Sequence, residues 1–200
     1  MSNKTVLMMS RERWIEASDK FFHNFDESLP QEKRREMLFE VDDILKSLKL
    51  KYWLTHGTAL GFVREGEFIQ WDDDLDIDLY SEDLSPRFHE LLLFLTDANY
   101  VCRFEQRDGG KTSKISAFKN NFKISLGAVY LDGEYRRSKF CTFPKRFYED
   151  SVICELGGRE FNVPGPTDEY LSFIYKTWKT PQKDGDGSGE IYNVINHGHL

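Results

Sequence analysis

Five aspartates fall within seven positions at Trp71-Asp72-Asp73-Asp74-Leu75-Asp76-Ile77-Asp78-Leu79. From Asp74 onward, acidic and aliphatic residues alternate. Strand side chains alternate between faces, so the pattern predicts Asp74, Asp76 and Asp78 on one face and Leu75, Ile77 and Leu79 in the core. Aspartate is depleted in strands, and carboxylates sharing a face repel one another unless a cation sits between them. Oxygen-only ligands suit Mg²⁺ or Mn²⁺, which bridge carboxylates to substrate phosphates. The rival reading is an acidic edge strand that discourages aggregation. So many aspartates beside Trp71 favour metal binding.

A second group lies upstream, at His56-Gly57-Thr58-Ala59-Leu60-Gly61-Phe62-Val63-Arg64. A strand predicted over 51–55 runs into a glycine turn that opens a short helix. Backbone N–H groups at such a turn hold phosphate oxygens, and Thr58 adds a hydroxyl. Arg64 offers a fork-shaped cation, against the plainer reading that it pairs with Glu65. His56 abuts the turn, where it contacts phosphate or simply caps the strand. Of the central-strand lysines 111, 114, 119 and 123, Lys114 and Lys119 fall on opposite faces of a regular strand. Lys114 is a candidate phosphate clamp, against a solvent-exposed alternative.

These groups need elements to hold them. Pro30 suits a first helical turn, and Met37, Val41, Ile44, Leu45 and Leu48 recur at helical spacing, predicting an amphipathic helix over 31–48. Ser85-Pro86 reads as a helix start, followed by Phe88, Leu91, Leu92 and Leu95 on one face. Strands are predicted over 100–105, 114–119, 123–131 and 134–142, with turns at Asp108-Gly109-Gly110 and Asp132-Gly133. A hairpin over 152–163 turns at Gly157-Gly158, and a helix follows over 167–178. Residues 10–28 are expected to form a capping helix, and 182–200 a flexible tail. Helices alternating with antiparallel-looking strands predict one α+β domain over 1–181.

The chain has 200 residues, 40% hydrophobic and 14% aromatic, which excludes wholesale disorder. Its net charge is -7, with 34 acidic against 27 basic residues, which argues against nucleic acid as partner. No apolar run reaches the roughly 18–20 residues of a transmembrane segment. Three cysteines without a CxxC predict reduced, structural thiols. The N-terminus lacks the apolar stretch of a signal peptide. The expectation is a cytoplasmic protein, or a domain of something longer; the oligomeric state is left open. Gly110-Lys111-Thr112 lacks the first glycine of a phosphate loop, and 184–195 lacks the closing Glu of an EF-hand.

The order strand, Gly-Thr turn, helix, Asp-x-Asp strand resembles the nucleotidyltransferase superfamily. The run Tyr52 to Gly61, then Arg64, then Phe68 to Ile77, is similar to the signature of the LicD/fukutin family. Phe143-Pro144, Phe147, Val163-Pro164, Tyr170-Leu171, Tyr175, Trp178 and Pro181 agree with that family's closing segment. The resemblance covers about residues 37–181. It implies a small mixed sheet with helices packed on one side. It also implies a phosphotransferase that moves a phospho-alcohol, such as phosphocholine or ribitol phosphate, from a CDP-linked donor to a sugar hydroxyl of a glycan. Asp74 and Asp76 would hold Mg²⁺ or Mn²⁺, and Asp72 and Asp78 would be accessory catalytic carboxylates. Gly57 and Thr58 would face the donor diphosphate, with Arg64 nearby. The family carries a third Asp on a later strand, where this chain has Ser125, so the base would come from Asp72 or Asp78, or activity would be impaired. The alternatives are a nucleotidyltransferase using a nucleoside triphosphate and a catalytically silent nucleotide- or glycan-binding module.

Overall fold

The computed structural model of the chain describes residues 29–106, 112–138, 141–175 and 177–181. The capping helix expected over 10–28, the turn at 108–110 and the tail over 182–200 lie outside the described residues.

Helix α1, Gln31–Ser47, begins right after Pro30, and Met37, Val41, Leu45 and their neighbours bury its apolar stripe. Strand β1 (Tyr52–Leu54) leads into helix α2 (His56–Glu65), which ends at Gly66 in the left-handed conformation. Strand β2 is Asp74–Tyr80. Helix α3 covers Ser81–Asp97, starting four residues before the predicted Ser85-Pro86. Pro86, its sixth residue, lies past the first turn and lacks the N–H that would bond Glu82 O, and the Ser85 hydroxyl donates back to Ser81 O at 2.6 Å.

Strands β3 (Val101–Gln106), β4 (Thr112–Lys119) and β5 (Phe122–Asp132) follow. The strand expected over 134–142 is two: β6, Tyr135–Arg137, and β7, Thr142–Pro144, paired antiparallel. Across the break the Ser138 N–H donates to Cys141 O at 2.8 Å. A short helix α4 (Arg146–Glu149) precedes the hairpin of β8 (Val152–Leu156) and β9 (Arg159–Val163). Gly157 and Gly158 both take positive φ at its tip, as a two-residue hairpin turn requires. Helix α5, Thr167–Ile174, stops short of the predicted 178 because Tyr175 adopts an extended backbone.

The sheet runs β1-β2-β5-β4-β3, with β6 and β7 continuing from β5. Its pairings are antiparallel except β2 with β5, so the sheet is mixed. Leu75, Ile77, Leu79, Ile115, Ala117, Ile124, Leu126 and Ala128 form its apolar face. Helix α3 covers that face with Leu84, Phe88, Leu91 and Leu95, and α1 packs on α3. The opposite face carries the aspartates, and α2 closes the end of β2. The three cysteines are free thiols. Among the described residues, no helix is long and apolar enough to cross a membrane.

Buried charge ties the layers together. Asp42 of α1 is fully buried and accepts bonds from Tyr52 of β1 at 2.5 Å, Lys46 at 2.9 Å and Arg159 of β9 at 2.9 Å. Arg34 of α1 is 1% exposed. It donates to Leu29 O, Ile69 O and Gln70 O, and its guanidinium stacks over Phe122.

Candidate active site

The alternation in β2 places its side chains as expected. Leu75, Ile77 and Leu79 are at most 1% exposed, and Asp74, Asp76 and Asp78 take the other face. They are not equivalent. Asp78 is itself buried, and Tyr148 Oη donates to its Oδ2 at 2.8 Å. Asp74 is half-buried and accepts at Oδ2 from Lys123 Nζ at 2.8 Å and Ser125 Oγ at 3.0 Å. Asp76 lies between them, in register with Ser125 of β5.

The position of Asp76 is set by the turn before α2. Past the end of β1, the Thr55 N–H donates to Asp76 O at 3.0 Å, and the Asp76 N–H donates to Thr58 Oγ1 at 2.8 Å. Thr58 is 1% exposed. Its hydroxyl oxygen therefore anchors the aspartate strand. Gly57 packs beneath Asp72: a Cβ added there would fall inside contact distance of Asp72 Oδ2. Only glycine lets that carboxylate lie over the first turn of α2, where helix N–H groups lack intrahelical partners.

Arg34 holds the approach to β2. It grips the carbonyls of Ile69 and Gln70, and the Asp72 N–H donates to Ile69 O at 3.1 Å. Trp71 stands exposed on that turn. Carboxylate oxygens of Asp72, Asp73 and Asp74 lie within 4.8 Å of one another, a spacing that a hard, oxygen-seeking cation can span. Asp73 joins the cluster although the alternation had pointed to Asp74 and Asp76.

Electrostatics marks Asp72, Asp76 and Asp78. Burial, then Asp74 and Asp76, push the Asp72 carboxyl up to about 8. Burial and Asp74 also hold Asp76 well above the usual carboxylate range, with Lys114 and Lys123 pulling it back. Asp78 is raised by burial and eased by His56 and the Tyr148 bond. The site is thus short of positive charge. Its donor set, clustered carboxylate oxygens, fits Mg²⁺ or Mn²⁺.

The other expected residues divide. His56 sits near Asp78, and its backbone N–H donates to Tyr170 Oη at 3.1 Å. Lys114 shares a lateral row with Gly127 and Asp78. The Arg64 guanidinium binds the Glu65 carboxylate and donates to Trp178 O at 3.2 Å, tying α2 to the C-terminal segment. The plainer pairing with Glu65 is the one observed. Lys119 lies on the helical face, bonded to Glu40. Sequence reasoning did not find Tyr148, and it placed Tyr170 and Tyr175 in the closing segment without a role at the site. Tyr175 feels the charges of Asp76, Asp72 and Asp74, which after burial raise its pKa. Each is 70 or more residues from the aspartate it meets, so nothing local signalled the encounter.

A mixed sheet with an aspartate strand beside a helix-opening turn defines a nucleotidyltransferase-type fold. A solution structure of the antibiotic-resistance factor ANT(2'')-Ia superposes with a TM-score of 0.50 and 15% identity, covering 68% of this chain and 66% of that one. The sequence model of the LicD/FKTN/FKRP nucleotidyltransferase domain matches residues 49–166. The chain belongs to that family. The mouse "Ribitol-5-phosphate transferase FKTN" is 24% identical over 177 residues, 84% of this chain but 38% of the mouse protein. An uncharacterised protein of Rickettsia prowazekii is 36% identical over 158 residues, covering 72% of this chain and 54% of its own. The chain thus matches well under half the length of the mouse relative.

Proposed function

We propose that the chain is a metal-dependent phosphotransferase moving a phospho-alcohol group from a CDP-linked donor to a glycan hydroxyl. The observation that carries this reading is the carboxylate row of β2, with Asp72 added over the N-terminal turn of α2. Family membership and the mouse transferase's name support the reaction class. Asp74 and Asp76 would hold Mg²⁺, with Asp72 and Asp73 close by; a bound Mg²⁺ would neutralise charge on the donor phosphates.

The chain's own residues supply the rest. The first-turn amides of α2, at Gly57 and Thr58, offer donors to the diphosphate. The Thr58 hydroxyl and Thr55 amide hold Asp76 in place, and Arg34 holds the turn carrying Asp72. Of the two accessory carboxylates, Asp78 is buried and committed to Tyr148. Asp72 is the better placed base: it takes the acceptor hydroxyl proton while that oxygen attacks the donor phosphorus and CMP leaves. The expected location remains the cytoplasm.

Incubating the full chain with CDP-ribitol or CDP-choline and a glycan acceptor should release CMP with Mg²⁺ and none with EDTA. Pyrophosphate released from a nucleoside triphosphate would instead mark a nucleotidyltransferase. Ser125 in the Asp76 row favours a second reading, a silent binding module. That reading predicts CDP and Mg²⁺ binding without CMP release over a broad acceptor panel.

A further inference from the structure

Lys123 occupies the place in the sheet directly beside Asp74. The two are partners in the parallel β2–β5 register, and Ser125 follows two residues later as partner of Asp76. Both β5 side chains converge on one oxygen: Lys123 Nζ at 2.8 Å and Ser125 Oγ at 3.0 Å meet Asp74 Oδ2. The lysine is held on a central strand and is about a quarter exposed. It can therefore reach a ligand without leaving the sheet. At the other end of the row, Gly127 separates Asp78 from Lys114, and its bare Cα leaves the space that Asp78 Oδ1 occupies.

An ammonium bonded to a carboxylate inside a phosphate-binding site is a cation in waiting. When a divalent ion takes Asp74, the lysine loses part of its partner and is repelled by the new charge. A phosphate oxygen arriving with the donor offers it a charge-assisted bond in exchange. Ser125, which cannot carry charge, completes no second carboxylate cage on that side.

We infer that Lys123 is the donor-phosphate clamp of this site and stands in for a second metal, so that the chain binds one divalent ion. This rests on the metal-dependent reading above. Lys123 competes with the metal for Asp74 and cooperates with it in holding phosphate, so its removal should move two affinities in opposite directions. A residue that merely supported the strand would weaken both.

The test titrates the full chain with Mn²⁺ alone, followed by paramagnetic resonance, and then with CDP at saturating Mn²⁺ by calorimetry. Wild type should take one Mn²⁺. Lys123→Gln should bind Mn²⁺ at least about threefold tighter and CDP about tenfold more weakly. Lys123→Arg should keep both within about threefold of wild type, since the charge remains. Two Mn²⁺ in wild type, or a Lys123→Gln protein that weakens in both titrations or changes in neither, overturns the inference while leaving the transferase reading intact. A wild-type chain that binds no Mn²⁺ overturns that reading and this one together. Should Lys123→Gln not fold, a tenfold loss of CDP binding in a folded Lys123→Arg overturns the clamp, and retention supports it.

Discussion

Thr58 accepts the Asp76 N–H at 2.8 Å, and with the Thr55 N–H on Asp76 O at 3.0 Å that bond carries the β2 edge beyond the last residue of β1. It fixes the central aspartate of the site from the element that also presents Gly57. Replacing Thr58 with Val keeps the shape and leaves the Asp76 N–H without its partner. The cost should be about 1–3 kcal/mol in denaturant unfolding, and Thr58→Ser should recover most of it.

Gly57 and Gly61 lie one helical turn apart on α2 but should answer to alanine differently. At Gly57 the added carbon meets the end of a side chain, Asp72, which can swing away. Thermal stability should hold or rise, because alanine favours a helix by about 1 kcal/mol. Mn²⁺ affinity should nevertheless fall by about tenfold as the carboxylate is displaced. At Gly61 the carbon meets backbone, Glu67 O at 2.6 Å and Ile69 N at 2.9 Å, which cannot swing. Gly61→Ala should cost about 1–3 kcal/mol. Melting curves and Mn²⁺ titration of the two variants separate the cases.

Asp76→Asn should abolish CMP release, with a loss of about 100-fold or more, while leaving the fold intact. Asp76 is partly buried beside Asp74, and desolvation and that neighbouring charge both press it toward its neutral form. An amide removes that repulsion, so the unfolding midpoint should stay level or rise. A variant that keeps wild-type turnover would end the assignment of Asp76.

Asp42 offers the opposite case. Burial pulls its pKa up, but bonds from Lys46, Tyr52 and Arg159 outweigh that and leave it lowered. Its folded form therefore binds its proton more weakly than the unfolded chain. The stability it contributes is present above the unfolded pKa, near 4, and is lost as pH falls through the folded value. Asp42→Asn should cost about 3–5 kcal/mol at neutral pH, because it breaks a buried ionic network. It should also flatten the loss of stability seen below about pH 4. Urea titrations from pH 7 down to pH 2.5 check both.

Much of the molecule follows from local pattern. The alternation in β2, the helix over Gln31–Ser47 and the glycine turn at 157–158 each depend on neighbours a few residues away, and each forms as its spacing dictates. The order of turn, helix and aspartate strand was enough to indicate the family. Tertiary contact decided what the individual residues do. The Thr58 hydroxyl, which the sequence offers only as a phosphate donor, also anchors the strand, because it accepts the Asp76 N–H 18 positions along. Arg64 reached Trp178 O rather than standing free. Tyr148 met Asp78 across 70 residues, and Lys123 met Asp74 only because β5 lies parallel to β2. Side-chain chemistry and period are written along the chain. Partner and burial depend on which strands become neighbours, and burial energy summed over the whole sheet sets that arrangement, which no short segment encodes.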